Sequence, residues 1–301
     1  MTELAKQAAS GLDTDGGLGG QQVLDRLIGL LDLERIEENI YRGVSPPHSS
    51  TRVFGGQVAG QALVAAGRTV PEERNVHSLH AYFIRPGDPK VPIIYEVDRI
   101  RDGRSFTTRR VVAIQHGKAI FSLSASFQVE EPGVEHGEPM PDVPDPESLP
   151  TLAERAAGYG DALGTRTQPR PIDIRYVNDP PWVTRDTGER PARNRVWMRA
   201  DGTLPDDRLL HVCVLTYASD MTLLDSTLAR HGVYWGLDRV FGASLDHALW
   251  FHRPFRADEW FLYDSMSPTA SNARALATGQ LFSRDGTHIA TVVQEGLIRV
   301  P

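Results

Sequence analysis

Two polar side chains stand where the surrounding pattern asks for apolar ones. Cys213, Tyr217, Asp220 and Leu224 recur at helical spacing, which places Asp220 on the apolar face of a helix. An ionised carboxylate there is costly unless partners solvate it, so Asp220 is a candidate functional residue. The structural alternatives are an internal cap or a buried pair with an arginine. Gln294 makes the same argument on a strand. Through Ala290-Thr291-Val292-Val293-Gln294-Glu295-Gly296-Leu297-Ile298, alternation puts Gln294 on the face of Val292 and Ile298. A buried amide there must find hydrogen bonds, in a site or on neighbouring backbone. Ser244 begins another strand, with Asp246 on its face and His247 on the opposite one. A lone serine in such a segment is ordinarily structural.

Other chemistries lose support when their geometry is checked. Gly242-Ala243-Ser244-Leu245-Asp246 resembles a nucleophile elbow but lacks its second glycine. His77 and His80 have an odd separation, which on a strand points them to opposite faces. Gly55, Gly56 and Gly60 do not form the dinucleotide-binding pattern, and there is no phosphate loop and no HExxH. No cofactor or metal is expected.

The elements that must hold these residues come in two similar series. A Gly- and Ala-rich helical stretch from Gly55 precedes the strand-like His80-Ala81-Tyr82-Phe83-Ile84-Arg85-Pro86. A helical stretch from Asp207 to Leu224 precedes His247-Ala248-Leu249-Trp250-Phe251-His252-Arg253-Pro254. Each series then alternates as strands do and reaches a late turn, at Gly117 and at Asp285-Gly286, over nearly equal intervals. Leu209, Leu210, Cys213, Val214, Tyr217, Met221 and Leu224 cover a wide arc of the second helix, with Leu215 on another face, so it is expected to be buried. A buried helix wrapped by a curved antiparallel sheet, an α+β class, is the hotdog architecture. A further helix is expected over Gln22–Glu38, from Leu24, Leu27, Ile28 and Leu31. Six prolines between Pro132 and Pro150 mark a long connection. The expected organisation is a flexible tail over 1–21, one unit over 22–131, a Pro-rich connection over 132–170 and a second unit over 171–301.

Composition sets outer limits. The chain has 301 residues and a formal net charge of −7, which argues against bulk attraction to nucleic acid or to an anionic membrane. No apolar run reaches the roughly 18 to 20 residues of a membrane helix, and the start shows no secretory pattern. The single cysteine, Cys213, lies in an apolar stretch and reads as a buried structural thiol. A cytoplasmic setting fits these features.

Several segments together resemble the acyl-CoA thioesterase II family. They are Phe54-Gly55-Gly56-Gln57-Val58-Ala59-Gly60-Gln61, Tyr82-Phe83-Ile84-Arg85-Pro86-Gly87-Asp88, Tyr217-Ala218-Ser219-Asp220, Asp246 through Pro254, and Val293-Gln294-Glu295-Gly296. The resemblance runs from about Gln22 onward and spans both series. It implies a double hotdog that hydrolyses acyl-CoA, including fatty acyl-CoA, to free acid and coenzyme A, commonly as a homo-oligomer. That family holds and activates its hydrolytic water with an Asp, a Thr or Ser, and a Gln. These roles fall on Asp220, Ser244 and Gln294.

Two alternatives stay open. Enoyl-CoA hydratases of the same fold pair an Asp with a His five residues on, where this chain has Asp225. A non-catalytic acyl-CoA binding protein is the other. Because coenzyme A is a polyanion, an acidic chain must hold it with local cations. Arg104, Arg109, Arg110, Arg253, Arg256 and Arg274 are candidates, at least half of which are expected to be solvated or ion-paired.

Overall fold

The computed structural model describes residues 19–46, 52–159, 163, 169–235 and 237–300. All of the expected tail except 19–21 lies outside the described residues, and Gln21 already opens a helix. The chain divides into two compact units.

The first unit contains α1 (Gln21–Leu31), β1 (Glu34–Glu37), β2 (Ile40–Gly43), α2 (Gly55–Gly67), β3 (Arg74–Phe83), β4 (Ile93–Asp102), β5 (Phe106–Gln115) and β6 (Lys118–Val129). Its strands run in the order β1-β2-β4-β5-β6-β3, antiparallel throughout. Helix α2, buried from Gly56 to Ala66, packs on β5, β6 and β4. The β5–β6 turn carries positive φ at both His116 (50°) and Gly117 (68°), the conformation that lets a two-residue hairpin follow the strand twist.

Helix α1 is shorter than expected. Leu24, Leu27 and Leu31 complete its buried stripe, and the chain then leaves the helix at Asp32. Arg68 holds the exit: it donates to the Leu33 carbonyl at 2.6 Å and pairs with Asp32 at 2.6 Å. Residues 34–37 are then free to pair as an edge strand instead of extending the helix.

The remaining elements are α3 (Leu152–Ala156), β7 (Ile172–Tyr176), α4 (Pro181–Thr187), β8 (Arg193–Ala200), α5 (Arg208–Ser219), α6 (Asp225–His231), β9 (Phe241–Ser244), β10 (Asp246–Phe251), β11 (Phe261–Ser271), β12 (Arg274–Ser283) and β13 (His288–Arg299). All but α5 belong to the second unit; α5 is grouped with the first as far as Tyr217, and the second resumes at Ala218. Antiparallel strands of the second unit run β10-β13-β12-β11-β8-β7, and β9 also pairs with β13.

Helix α5 is buried continuously from His211 to Thr216, and Cys213 has its thiol pKa pushed up by burial. A Cβ on Gly56 would lie 2.4 Å from the Tyr217 carbonyl oxygen, so only glycine lets α2 come this close to α5. The Pro-rich segment does not hang loose where it is described. Trp197 donates to the Pro144 carbonyl at 3.0 Å and Trp260 to the Glu147 carboxylate at 2.9 Å. Met140, Val143 and Leu149 pack on the cluster of Trp197, Trp260, Leu262 and Phe282.

Candidate active site

Asp220 does not lie on a helix face. Helix α5 stops at Ser219, and Asp220 opens a turn of three-residue hydrogen bonds, Met221 N–H to the Ala218 carbonyl and Asp225 N–H to that of Thr222. Ser219, Asp220 and Thr222 are residues whose side chains compete with helical backbone. Tyr263 seals the helix end by donating its hydroxyl to the Ser219 carbonyl at 3.1 Å. The turn then passes close over β13. A Cβ on Gly296 would meet the Leu224 side chain at 2.6 Å, so glycine there leaves room for the turn.

Gln294 obeys the expected alternation, buried on the β13 face that also carries Val292 and Gly296. Its Nε2 donates to Asp220 Oδ1 at 2.8 Å and to Ser244 Oγ at 2.6 Å. Ser244 Oγ donates in turn to Asp220 Oδ1 at 3.1 Å. The three sequence-predicted residues thus meet within one unit, from a turn and two strands.

Ser244 ends β9 instead of starting a strand, and the break after it revises the expected facing. Ser244 stands opposite Gly296 and Ala248 opposite Val293, so residues 245–247 oppose only 294 and 295. This is a β-bulge, one extra residue that resets the alternation. Leu245 donates to the Glu295 carbonyl, and Asp246 Oδ1 accepts the Glu295 N–H at 2.7 Å. Asp246 therefore serves the backbone of the bulge. His247, expected on the face away from Ser244, turns inward instead: it is fully buried with Nε2 2.8 Å from Ser219 Oγ. Burial lowers its pKa, opposed by Asp220, Gln294 and Asp246, so the ring is neutral at pH 7. Burial likewise raises the Tyr263 pKa, with the Asp220 charge adding to it.

His247, Ser219 and Tyr263 are the neighbours that sequence reasoning missed. A polar residue at the head of the apolar run from Ala248 to Phe251 was the visible signal for His247, and the unforeseen bulge hid its facing.

The arginine candidates are largely spoken for. Arg109 pairs with Asp102, Arg110 with Asp98, Arg256 with Asp258 and Arg274 with Glu295. Arg253 donates to the carbonyls of His288 and His136, while Arg104 is exposed. Among the described residues no three His, Cys, Asp or Glu side chains converge as a metal site. None of their helices is long and apolar enough to cross a membrane.

A carboxylate, a hydroxyl and an amide in mutual contact can orient and deprotonate a water, and comparison with known proteins identifies the setting. The acyl-CoA thioesterase family profile matches residues 167–297, and that of the acyl-CoA thioesterase N-terminal domain matches 44–128. Acyl-coenzyme A thioesterase 8 of Mus musculus is 43% identical over 95% of this chain and 92% of its own length. The chain belongs to the acyl-CoA thioesterase family. The crystal structure of an acyl-CoA thioesterase II from Mycobacterium marinum is 45% identical, with a TM-score of 0.75, covering 91% of this chain and 97% of that one.

As a member of this family the chain is a thioester hydrolase. A hotdog-fold protein from Alicyclobacillus acidocaldarius, 19% identical, shares the fold at a TM-score of 0.74 over 90% of this chain and 97% of its own. The α+β double hotdog expected from sequence is thus the fold of this thioesterase. The hydratase alternative has no histidine where it needs one: Asp225 is buried and accepts the Tyr176 hydroxyl at 2.7 Å.

Proposed function

We propose that this thioesterase hydrolyses fatty acyl-CoA by direct attack of a water held by Asp220, Ser244 and Gln294. The observation that carries the reading is their convergence, with Asp220 Oδ1 accepting from both Ser244 and Gln294. Asp220 takes a proton from the water as its oxygen bonds to the thioester carbonyl carbon. Collapse of the tetrahedral intermediate breaks the C–S bond, and the proton passes to the departing thiolate. The products are free acid and coenzyme A. Ser244 and Gln294 supply orientation, and a backbone N–H takes the oxyanion charge.

A covalent serine route finds less support. Ser244 Oγ faces a carboxylate and an amide, while the nearby imidazole is engaged by Ser219, which is itself buried. Rapid acid quench during turnover tests this. Water attack gives no thiol burst and no acyl adduct, whereas an acyl mass on Ser244 would overturn it.

We assign the chemistry to the C-terminal hotdog, 171–301, with 22–131 as its tandem partner. The profile matches at 167–297 and 44–128 support this division. We further infer a cytoplasmic homo-oligomer. The lone, buried cysteine favours the compartment. Tyr82 and Ile84 on or just past β3, 66% and 45% exposed, favour burial against another copy.

A further inference from the structure

Gln294 does its proposed work only in one orientation, with its NH₂ toward the Asp220 carboxylate. An amide can turn over, and turned it would place an oxygen against a carboxylate oxygen. Something must hold it. Its Oε1, pointing away from Asp220 and Ser244, is buried without a hydrogen bond, and so is His247 Nδ1. Both residues are 0% exposed, and a buried polar atom left unpaired costs on the order of 1–3 kcal/mol.

The register brings the two together. Ala248 pairs with Val293, so His247 and Gln294 are the next residues of their strands, and both turn to the buried face that carries Leu249 and Val292, within reach of each other. His247 cannot satisfy Gln294 Oε1 in every form. If its other nitrogen, Nε2, accepts from the Ser219 hydroxyl at 2.8 Å, the proton resides on Nδ1, where it is available to donate.

We propose that His247 is a positioning residue: as the neutral Nδ1–H tautomer, it donates to Gln294 Oε1 and locks the amide with its NH₂ toward Asp220 and Ser244. The chain of donors runs from Ser219 to His247 to Gln294 to Asp220. The neutral state of the ring, set by burial, agrees with this, and so does the interaction with Gln294 that opposes the lowering. The inference rests on the water-activating reading of Asp220, Ser244 and Gln294.

The test is made on the full chain. In protein labelled with ¹⁵N-histidine, the His247 resonance, identified by its loss in His247→Asn, should show a protonated Nδ1 and an unprotonated Nε2. In steady-state hydrolysis, His247→Leu should lower kcat roughly 10- to 100-fold, the scale of a misplaced catalytic group, with KM little changed. His247→Asn places an amide N–H near the Nδ1 position and should recover much of the lost kcat. A protonated Nε2, or a native kcat in His247→Leu, overturns the inference. If His247→Leu does not fold, the tautomer in the unaltered protein still decides. Native turnover in Asp220→Asn would instead sink the underlying reading, so the two failures are distinguishable.

Discussion

Asp220 and Gln294 could be picked out of the sequence because each interrupts an apolar pattern, and both reach the site. Helical spacing nevertheless does not account for how Asp220 gets there. It sits in the turn after α5, where the Leu224 side chain of the same turn packs against Gly296 of a distant strand, a contact that no local pattern encodes. Ser244 was legible only through the family resemblance. His247 was misplaced because one extra residue on a strand moves every later side chain to the other face. Two sets of substitutions probe these residues. Gln294→Ala should lower kcat by about two orders of magnitude, since it removes both amide contacts to the pair proposed to hold the water. Ser244→Thr should stay active because the hydroxyl persists with a stiffer rotamer, whereas Ser244→Ala should lose much of its rate. Steady-state thiol release measures both, and equal rates for Ser244→Ala and Ser244→Thr would contradict the role of the hydroxyl.

Among the elements, the duplicated series of helix, strand and late turn was readable because turn residues and period-2 alternation are local signals. Element ends were not, since tertiary partners set them, as Arg68 does at the end of α1 and Tyr263 at the end of α5. The contact between the Asp220–Leu224 turn and β13 gives a test. Gly296→Ala pushes a methyl into Leu224 and should destabilise the fold by about 1–3 kcal/mol, the usual cost of overpacking. Turnover should fall as well, because the turn carries Asp220. Adding Leu224→Ala should return part of the stability, a coupling that a denaturant-melt double-mutant cycle would register. Strict additivity of the two substitutions would mean that the turn is not seated on Gly296.

For the whole molecule, charge and protonation set the response to conditions. His247 is buried neutral with a lowered pKa, so between its folded value and the ordinary 6.5 the unfolded chain binds one more proton. The contribution of this group to stability is therefore constant above about pH 6.5 and falls as pH drops below it. Denaturant titrations at several pH values should show a shallower acid slope in His247→Asn; an unchanged slope would assign the acid loss to other groups.

The chain carries a net charge of −7, and four of the six candidate arginines are already paired to carboxylates. If two or more of the candidates line the site, KM for acyl-CoA should rise with salt while that for a short uncharged thioester does not; equal responses would mean that the nucleotide end is held by something else. Water activation itself is checked most sharply by kcat of Asp220→Asn for acyl-CoA hydrolysis, followed by thiol release alongside a melting curve. A general base at Asp220 predicts a loss of about two orders of magnitude or more, with the melting temperature held or raised. Near-native turnover in a folded Asp220→Asn protein would contradict it.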